Sequence, residues 1–403
     1  MIDRDPVLGC GETGLEVYDP SAHKVLINYQ AYKLFTPASN TKLFTFYTGE
    51  KILGDSIPSI RYCERNDSLY FSGLGDPTLL HPGFNFQPAW NFLKSSKDTL
   101  IYVPFVSAEP RFGSGCAWDD YPYDYSAEKS TLPVAGNEVW FHKNAGNSTV
   151  SVFPEEFNKR SLVSYNTDSV PMGITAEREE YVNAFRLTVK PADSLNLQIP
   201  FKTSDSLAIQ ILGDTLRKKI IILNTVITCP WRILYSQPRD TVMKTMLDQS
   251  DNFLAEQILM SCSAVLYDTM NIGRVIQYAL DSLISGLNDK MVWVDGSGLS
   301  RYNLQSPDNL VKLLNRLIQE YPREKLFNLL PGYGYGLSNP GSQGSFIYAK
   351  SGSMSHVYNL SGYLVSRSGK ILIFSMLNNN FIHPVSDARA SSGKILEWIR
   401  ERY

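Results

Sequence analysis

Apolar residues recur at near-helical spacing after Ser39, at Leu43, Phe44, Phe46, Tyr47, Ile52 and Leu53, until Gly54 closes the run. This predicts a helix whose first turn carries Ser39-Asn40-Thr41-Lys42. Upstream, Gly14–Tyr18 and Lys24–Tyr29 read as two strands around the turn Asp19-Pro20-Ser21. From about Arg61 to Leu234 the pattern breaks into short strands and loops rich in Pro, Gly, Asn and aromatics, with one helical stretch near Ser204–Lys219. Thr241–Val265 is again helix-compatible, but polar Gln249-Ser250-Asp251-Asn252 interrupts it and predicts a hairpin between two helices. Phe346–Ser351, Asn359–Val365 and Ile371–Leu377 read as antiparallel strands, and Asp387–Arg402 as a closing helix. The implied class is α+β. Residues 1–60 and 235–403 form one domain of helices on an antiparallel sheet that joins the first and last strands, and residues 61–234 form an inserted, mainly β region of one or two small subdomains.

Chemistry enters through three short motifs in chain order: Ser39-Asn40-Thr41-Lys42, Ser250-Asp251-Asn252 and Lys350-Ser351-Gly352. An S-x-x-K spacing alone says little, since roughly one or two arise by composition in a chain of this length. The other instances, Ser21/Lys24, Ser126/Lys129 and Ser391/Lys394, do not open a well-formed helix. Ser39 does. On a helix, residues three apart share a face, so the Lys42 amine can reach the Ser39 hydroxyl, while free N–H groups and the helix dipole favour negative charge there. That suits a nucleophile and its base. Ser250-Asp251-Asn252 falls at a helix junction and Lys350-Ser351-Gly352 at the end of a strand, so all three motifs can converge on one cleft.

Composition narrows the setting. The chain has 403 residues, 43% hydrophobic and 19% charged, with a formal net charge of −2, which is enough to bury a large core and offers no basic stripe for nucleic acid. No apolar run is long enough to span a bilayer, and no positive-then-apolar signal segment is visible ahead of Val7-Leu8-Gly9-Cys10 in the sequence as given. Cys10, Cys63, Cys116, Cys229 and Cys262 include no C-x-x-C pair; one disulfide is possible, with its pairing open. The five histidines lack ligand spacing, so neither a metal nor another cofactor is expected.

With the motifs stand Phe35-Thr36-Pro37-Ala38-Ser39, Gly73-Leu74-Gly75-Asp76-Pro77-Thr78, Trp118-Asp119-Asp120, Asp295-Gly296-Ser297-Gly298-Leu299-Ser300-Arg301 and Leu360-Ser361-Gly362-Tyr363. Together these resemble the class C low-molecular-mass penicillin-binding proteins, the penicillin-binding protein 4 type of D-Ala-D-Ala carboxypeptidase and endopeptidase. The resemblance implies a β-lactamase/transpeptidase-like domain, and the long insertion between the first two motifs separates this family from serine β-lactamases. It implies Ser39 as the acylated nucleophile, Lys42 as its base, made neutral by burial and by positive charge such as Lys350, and Ser250 as proton relay to the leaving D-alanine. Asn252 would bind Lys42 and the substrate amide, Asp251 would shape the hairpin, and Lys350 with the hydroxyls of Ser351 and Ser353 would hold the terminal carboxylate. Gly352 completes that motif, and the N–H groups of Ser39 and Ser353 would form the oxyanion hole. Arg301, Ser355 and Asp119 match the groups that meet the preceding residue, often diaminopimelate. Gly73–Pro77 and Gly296-Ser297-Gly298 read as turn chemistry. Two positions depart from the family pattern: Ser351 replaces the usual threonine, and Cys116 stands where many relatives carry tryptophan.

Peptidoglycan peptides ending in D-Ala-D-Ala are the implied partners, with β-lactams as inhibitors and a periplasmic or extracytoplasmic location set by where peptidoglycan lies. A serine β-lactamase is the nearest rival, but no glutamate motif or tyrosine base for deacylation is recognisable. A catalytically silent peptidoglycan-binding protein is the rival from another class. The balance of carboxypeptidase and endopeptidase action stays open at this stage.

Overall fold

The computed structural model describes residues 2–147, 149–165, 175–190, 192–225, 227–287, 290–338 and 344–403. A six-stranded antiparallel sheet joins the two ends of the chain, in the order Gly332–Tyr333, Ile347–Met354, Val357–Val365, Ile371–Asn379, Glu12–Asp19, Lys24–Tyr29. In the central strand Ile371–Asn379, Ile373 and Leu377 face one core while Leu372, Phe374 and Met376 face another. A strand covered on both faces needs apolar residues at successive positions, which explains its near-continuous hydrophobic run.

One face carries the helices Lys42–Ile52, Arg239–Gln249, Asn252–Leu266 and Pro307–Glu320 around Phe44, Leu254, Ile258 and Leu314. Leu396 and Ile399 of the closing helix Val385–Arg402 cover the opposite face. The turn at Asp19 forms as expected, with its carboxylate accepting from the Ser21 and Ala22 N–H groups.

The intervening chain builds three further sheets. One of five strands runs Ile220–Ile222, Thr99–Tyr102, Ser68–Gly73, Ser56–Arg65, Arg232–Pro238, and two others have three strands each. Phe71, Phe141, Phe157, Phe185 and Leu212 form a separate core there. Strands Ser56–Arg65 and Arg232–Pro238 pair with each other and so straddle the expected borders near residues 60 and 235. The expected helix appears at Asp205–Leu216, capped by Ser204, while the helix Pro88–Ser95 was not expected. Cys63 and Cys229 form a disulfide, leaving Cys10, Cys116 and Cys262 as free thiols.

Candidate active site

Ala38–Thr41 forms a tight 3-10 turn that leads directly into the helix Lys42–Ile52. Ala38 holds a φ of +48°, a conformation side-chain-bearing residues seldom adopt, so the surroundings must impose it. Two glycines permit that enclosure. A Cβ on Gly298 would lie 1.9 Å from the Ala38 carbonyl oxygen, and one on Gly352 would lie 2.8 Å from both the Pro37 oxygen and the Ser39 nitrogen. The loop after Asp295 and the strand Ile347–Met354 therefore reach the Ser39 turn only because neither position has a side chain.

Lys42 is fully buried and its Nζ meets three acceptors: Ser39 Oγ at 2.9 Å, Asn252 Oδ1 at 2.6 Å and the Ser297 carbonyl at 2.8 Å. An ammonium fills all three with its hydrogens. A neutral amine can keep two and turn its lone pair toward the serine hydroxyl. Burial pulls Lys42 down to about 8, against the opposing pull of Asp251, Asp295 and Glu256. The cause therefore differs in part from the sequence expectation, since desolvation leads and acidic neighbours counter it. Lys350 is also buried; burial first and the Lys42 charge second push it well below its usual range, and its Nζ donates to the Ser351 carbonyl at 2.7 Å.

Ser250 ends the helix Arg239–Gln249 at a φ of +57°, and Asp251 caps the next helix by accepting from the Leu254 N–H at 2.8 Å. The junction thus has the expected form, and Asp251 shapes it. Asn252 opens the second helix, accepting from Lys42 through Oδ1 and donating through Nδ2 to the Tyr125 carbonyl at 2.9 Å. One amide ties the lysine to the inserted region.

A buried lysine hydrogen-bonded to a serine on a strained turn, with an Asn-bearing helix junction opposite, is the geometry of an active-serine acyl-transfer site. Residues 1–401 match the D-Ala-D-Ala carboxypeptidase 3 (S13) family. The chain belongs to that family. It is accordingly a serine D-Ala-D-Ala carboxypeptidase, a peptidase of the penicillin-binding class. Similar proteins include the D-alanyl-D-alanine carboxypeptidase DacB of Haemophilus influenzae, 20% identical over 94% of this chain and 88% of the relative. A D-alanyl-D-alanine carboxypeptidase of Actinomadura sp. strain R39 is 27% identical over 94% of this chain and 80% of its own length. In three dimensions the fold is that of penicillin-binding protein 4 from H. influenzae, with a TM-score of 0.74 at 18% identity, covering 98% of each chain.

In this carboxypeptidase, Ser39, Ser250, Asn252, Arg301, Ser353 and Ser355 line one cleft of about 360 Å³, together with Asp120, Tyr125 and Met354. Five expected residues, Lys42, Lys350, Ser351, Gly352 and Asp119, are not among those lining it. Asp119 is exposed and does not line the cleft; its neighbour Asp120 does, accepting from the Tyr125 hydroxyl at 2.9 Å. Ser351 has its hydroxyl 3.4 Å from that of Tyr333, and Lys350 lies beneath the surface of the cleft. The strand carrying them also runs on to Met354 and does not stop at Ser351. Cys116 is half-buried beside Asp295 and Glu256, and burial followed by those charges pushes its thiol up to about 12, far from a reactive thiolate.

The largest correction concerns Gly296-Ser297-Gly298, expected to be turn chemistry alone. Its Ser297 carbonyl is a direct acceptor for Lys42. A main-chain oxygen has no residue-type signature, so motif reasoning passes over it. Glu256 was also missed, although it stands one helical turn from Asn252 and accepts from the Ser297 N–H at 2.9 Å. Among the described residues, no group of three or more His, Cys, Asp or Glu side chains is arranged to hold a metal ion. No helix among them is long and apolar enough to cross a membrane.

Proposed function

We propose that Ser39 attacks the penultimate carbonyl of a peptidoglycan stem peptide ending in D-Ala-D-Ala. The observation that carries this is the fully buried Lys42 amine, 2.9 Å from the Ser39 hydroxyl. Neutral Lys42 takes the serine proton as the C–O bond forms, and the Ser39 and Ser353 N–H groups face the developing oxyanion. Ser250 then relays that proton from Lys42 to the nitrogen of the departing D-alanine as the C–N bond breaks, which leaves an ester on Ser39 and a neutral Lys42. Water hydrolyses this ester and restores the serine. Ser353 meets the terminal carboxylate at the cleft surface, with Lys350 and Ser351 behind it and Gly352 keeping the strand close to the turn. Arg301, Ser355 and Asp120 meet the residue that precedes the two alanines, so the acidic role assigned to Asp119 passes to its neighbour.

Endopeptidase action is the same chemistry with a cross-linked amine as leaving group. A β-lactam places its strained carbonyl where the peptide carbonyl lies and acylates the same serine. A structure of the H. influenzae relative is a complex with a β-lactam, which supports this part of the reading. A periplasmic setting follows from the substrate, and the Cys63–Cys229 disulfide fits an oxidising compartment. The test is D-alanine release from an N-acylated peptide ending in D-Ala-D-Ala. Ser39→Ala and Lys42→Met should each lower it on the order of a thousandfold or more. Release by Ser39→Ala at the wild-type rate would remove the proposal.

A further inference from the structure

Asn252 and Glu256 are four residues apart on the helix Asn252–Leu266, and so project from one face of it. Asn252 accepts from Lys42 directly. Glu256 reaches the same amine through one intermediate: its Oε1 accepts from the Ser297 N–H at 2.9 Å, and the Ser297 carbonyl accepts from Lys42 at 2.8 Å. The nearby Asp295 is engaged differently, with both oxygens committed to the Gly298 N–H at 2.8 Å, the Ser300 N–H at 2.7 Å and the Asn303 amide at 2.7 Å. Asp295 shapes the loop, whereas Glu256 pins the one peptide unit that touches the lysine.

Glu256 also keeps an uncommitted half. Its Oε2 is buried without a hydrogen-bond partner among the described residues, and the side chain borders a small cavity of about 40 Å³ with Asp295, Lys129 and Cys116. That space is on the scale of one water. A purely structural clamp has no need of a carboxylate, since an amide oxygen accepts the Ser297 N–H equally well. The retained charge faces two amines, Lys129 on its own side, which it helps hold protonated, and Lys42 across the Ser297 peptide. We infer that Glu256 is a positioning residue for Lys42, fixing the Ser297 carbonyl and, through its negative charge, setting the pH at which the lysine becomes a base.

This inference rests on the roles proposed for Ser39 and Lys42. The charged groups around the amine come from every element packed there: Asp251 from the helix junction, Asp295 from the loop, Glu256 from the helix and Lys350 from the strand. Beyond Glu256 lies the ion pair of Lys129 with Glu109, at 3.0 Å. Burial and the Glu256 charge push Asp295 up to about 6, below the range where Lys42 titrates. Removing either carboxylate weakens the hold on the ammonium and frees the base at lower pH.

The experiment is the pH dependence of benzylpenicillin acylation, followed by intact-protein mass, for wild type, Glu256→Gln and Glu256→Asp. Gln keeps an acceptor for Ser297 and loses the charge, so the acid limb should move down by about half a unit or more, with the plateau rate held within about threefold. Asp keeps the charge and loses reach, so its limb should stay near the wild-type position while the plateau falls. An unmoved or raised limb in the Gln variant overturns the inference, as does an Asp variant whose limb drops as far as that of Gln. Should Glu256→Gln not fold, Glu256→Ala, which also removes the charge, takes its place, and an unmoved acid limb there overturns the inference. Wild-type protein that is not acylated, or Lys42→Met acylated at the wild-type rate, would instead remove the underlying assignment.

Discussion

At the scale of single residues, the proposed chemistry depends on a lysine that is neutral when needed. Burial brings Lys42 to about 8, and only its deprotonated form accepts the Ser39 proton. The acylation rate should therefore rise with pH through that value and level off above it; a rate constant between pH 6 and 10 would contradict the role. Ser39, Lys42, Ser250, Asn252 and Lys350 could be proposed from the sequence because their side-chain types and helical or strand context fit the chemistry, and the structure brings Lys42 within hydrogen-bond reach of Ser39 and Asn252. The Ser297 carbonyl was not, since any residue supplies a main-chain acceptor. Asp119 and Asp120 illustrate another limit: adjacent identical residues can be told apart only by which one the local backbone turns toward the cleft.

At the scale of elements, regular patterns were readable and terminations less so. The break at Ser250 was visible because polar residues interrupt an apolar repeat. The strand through Lys350 was expected to end at Ser351, yet it continues to Met354, because pairing with Val357–Val365 holds residues whose own propensity is weak. The helix Pro307–Glu320 was not expected, though Ser306 and Asn309 form a capping box at its start. That helix faces Glu16, a buried carboxyl on the strand Glu12–Asp19 that burial, and then Asp308, push up to about 7. A raised carboxyl binds its proton more tightly when folded, so its contribution is present at low pH and is lost as pH rises from the ordinary range through 7. Glu16→Gln should thus stabilise the protein more at pH 8 than at pH 4, by up to about 3 kcal/mol in chemical denaturation. An equal effect at both pH values would show that Glu16 does not titrate in this way.

At the scale of the whole molecule, the two ends of the chain meet in one sheet and the inserted chain brings Tyr125 to Asn252. The sequence allowed the shared sheet to be expected, because strands at both ends needed partners. It could not pair the cysteines: Cys63 and Cys229 meet across 166 residues only once Ser56–Arg65 and Arg232–Pro238 lie side by side. Replacing both cysteines by alanine should cost about 2–5 kcal/mol of stability. The plateau acylation rate should remain within about twofold, since the bridge is in the inserted region's sheet; a large loss would tie that region's integrity to the chemistry. The most direct test of the serine–lysine site is the intact mass of the protein after exposure to benzylpenicillin, with peptide mapping of any adduct. One penicilloyl group on Ser39 of the wild type, and none on Ser39→Ala, is the expected result. An adduct that persists in Ser39→Ala, or a wild type that leaves penicillin untouched, would contradict it.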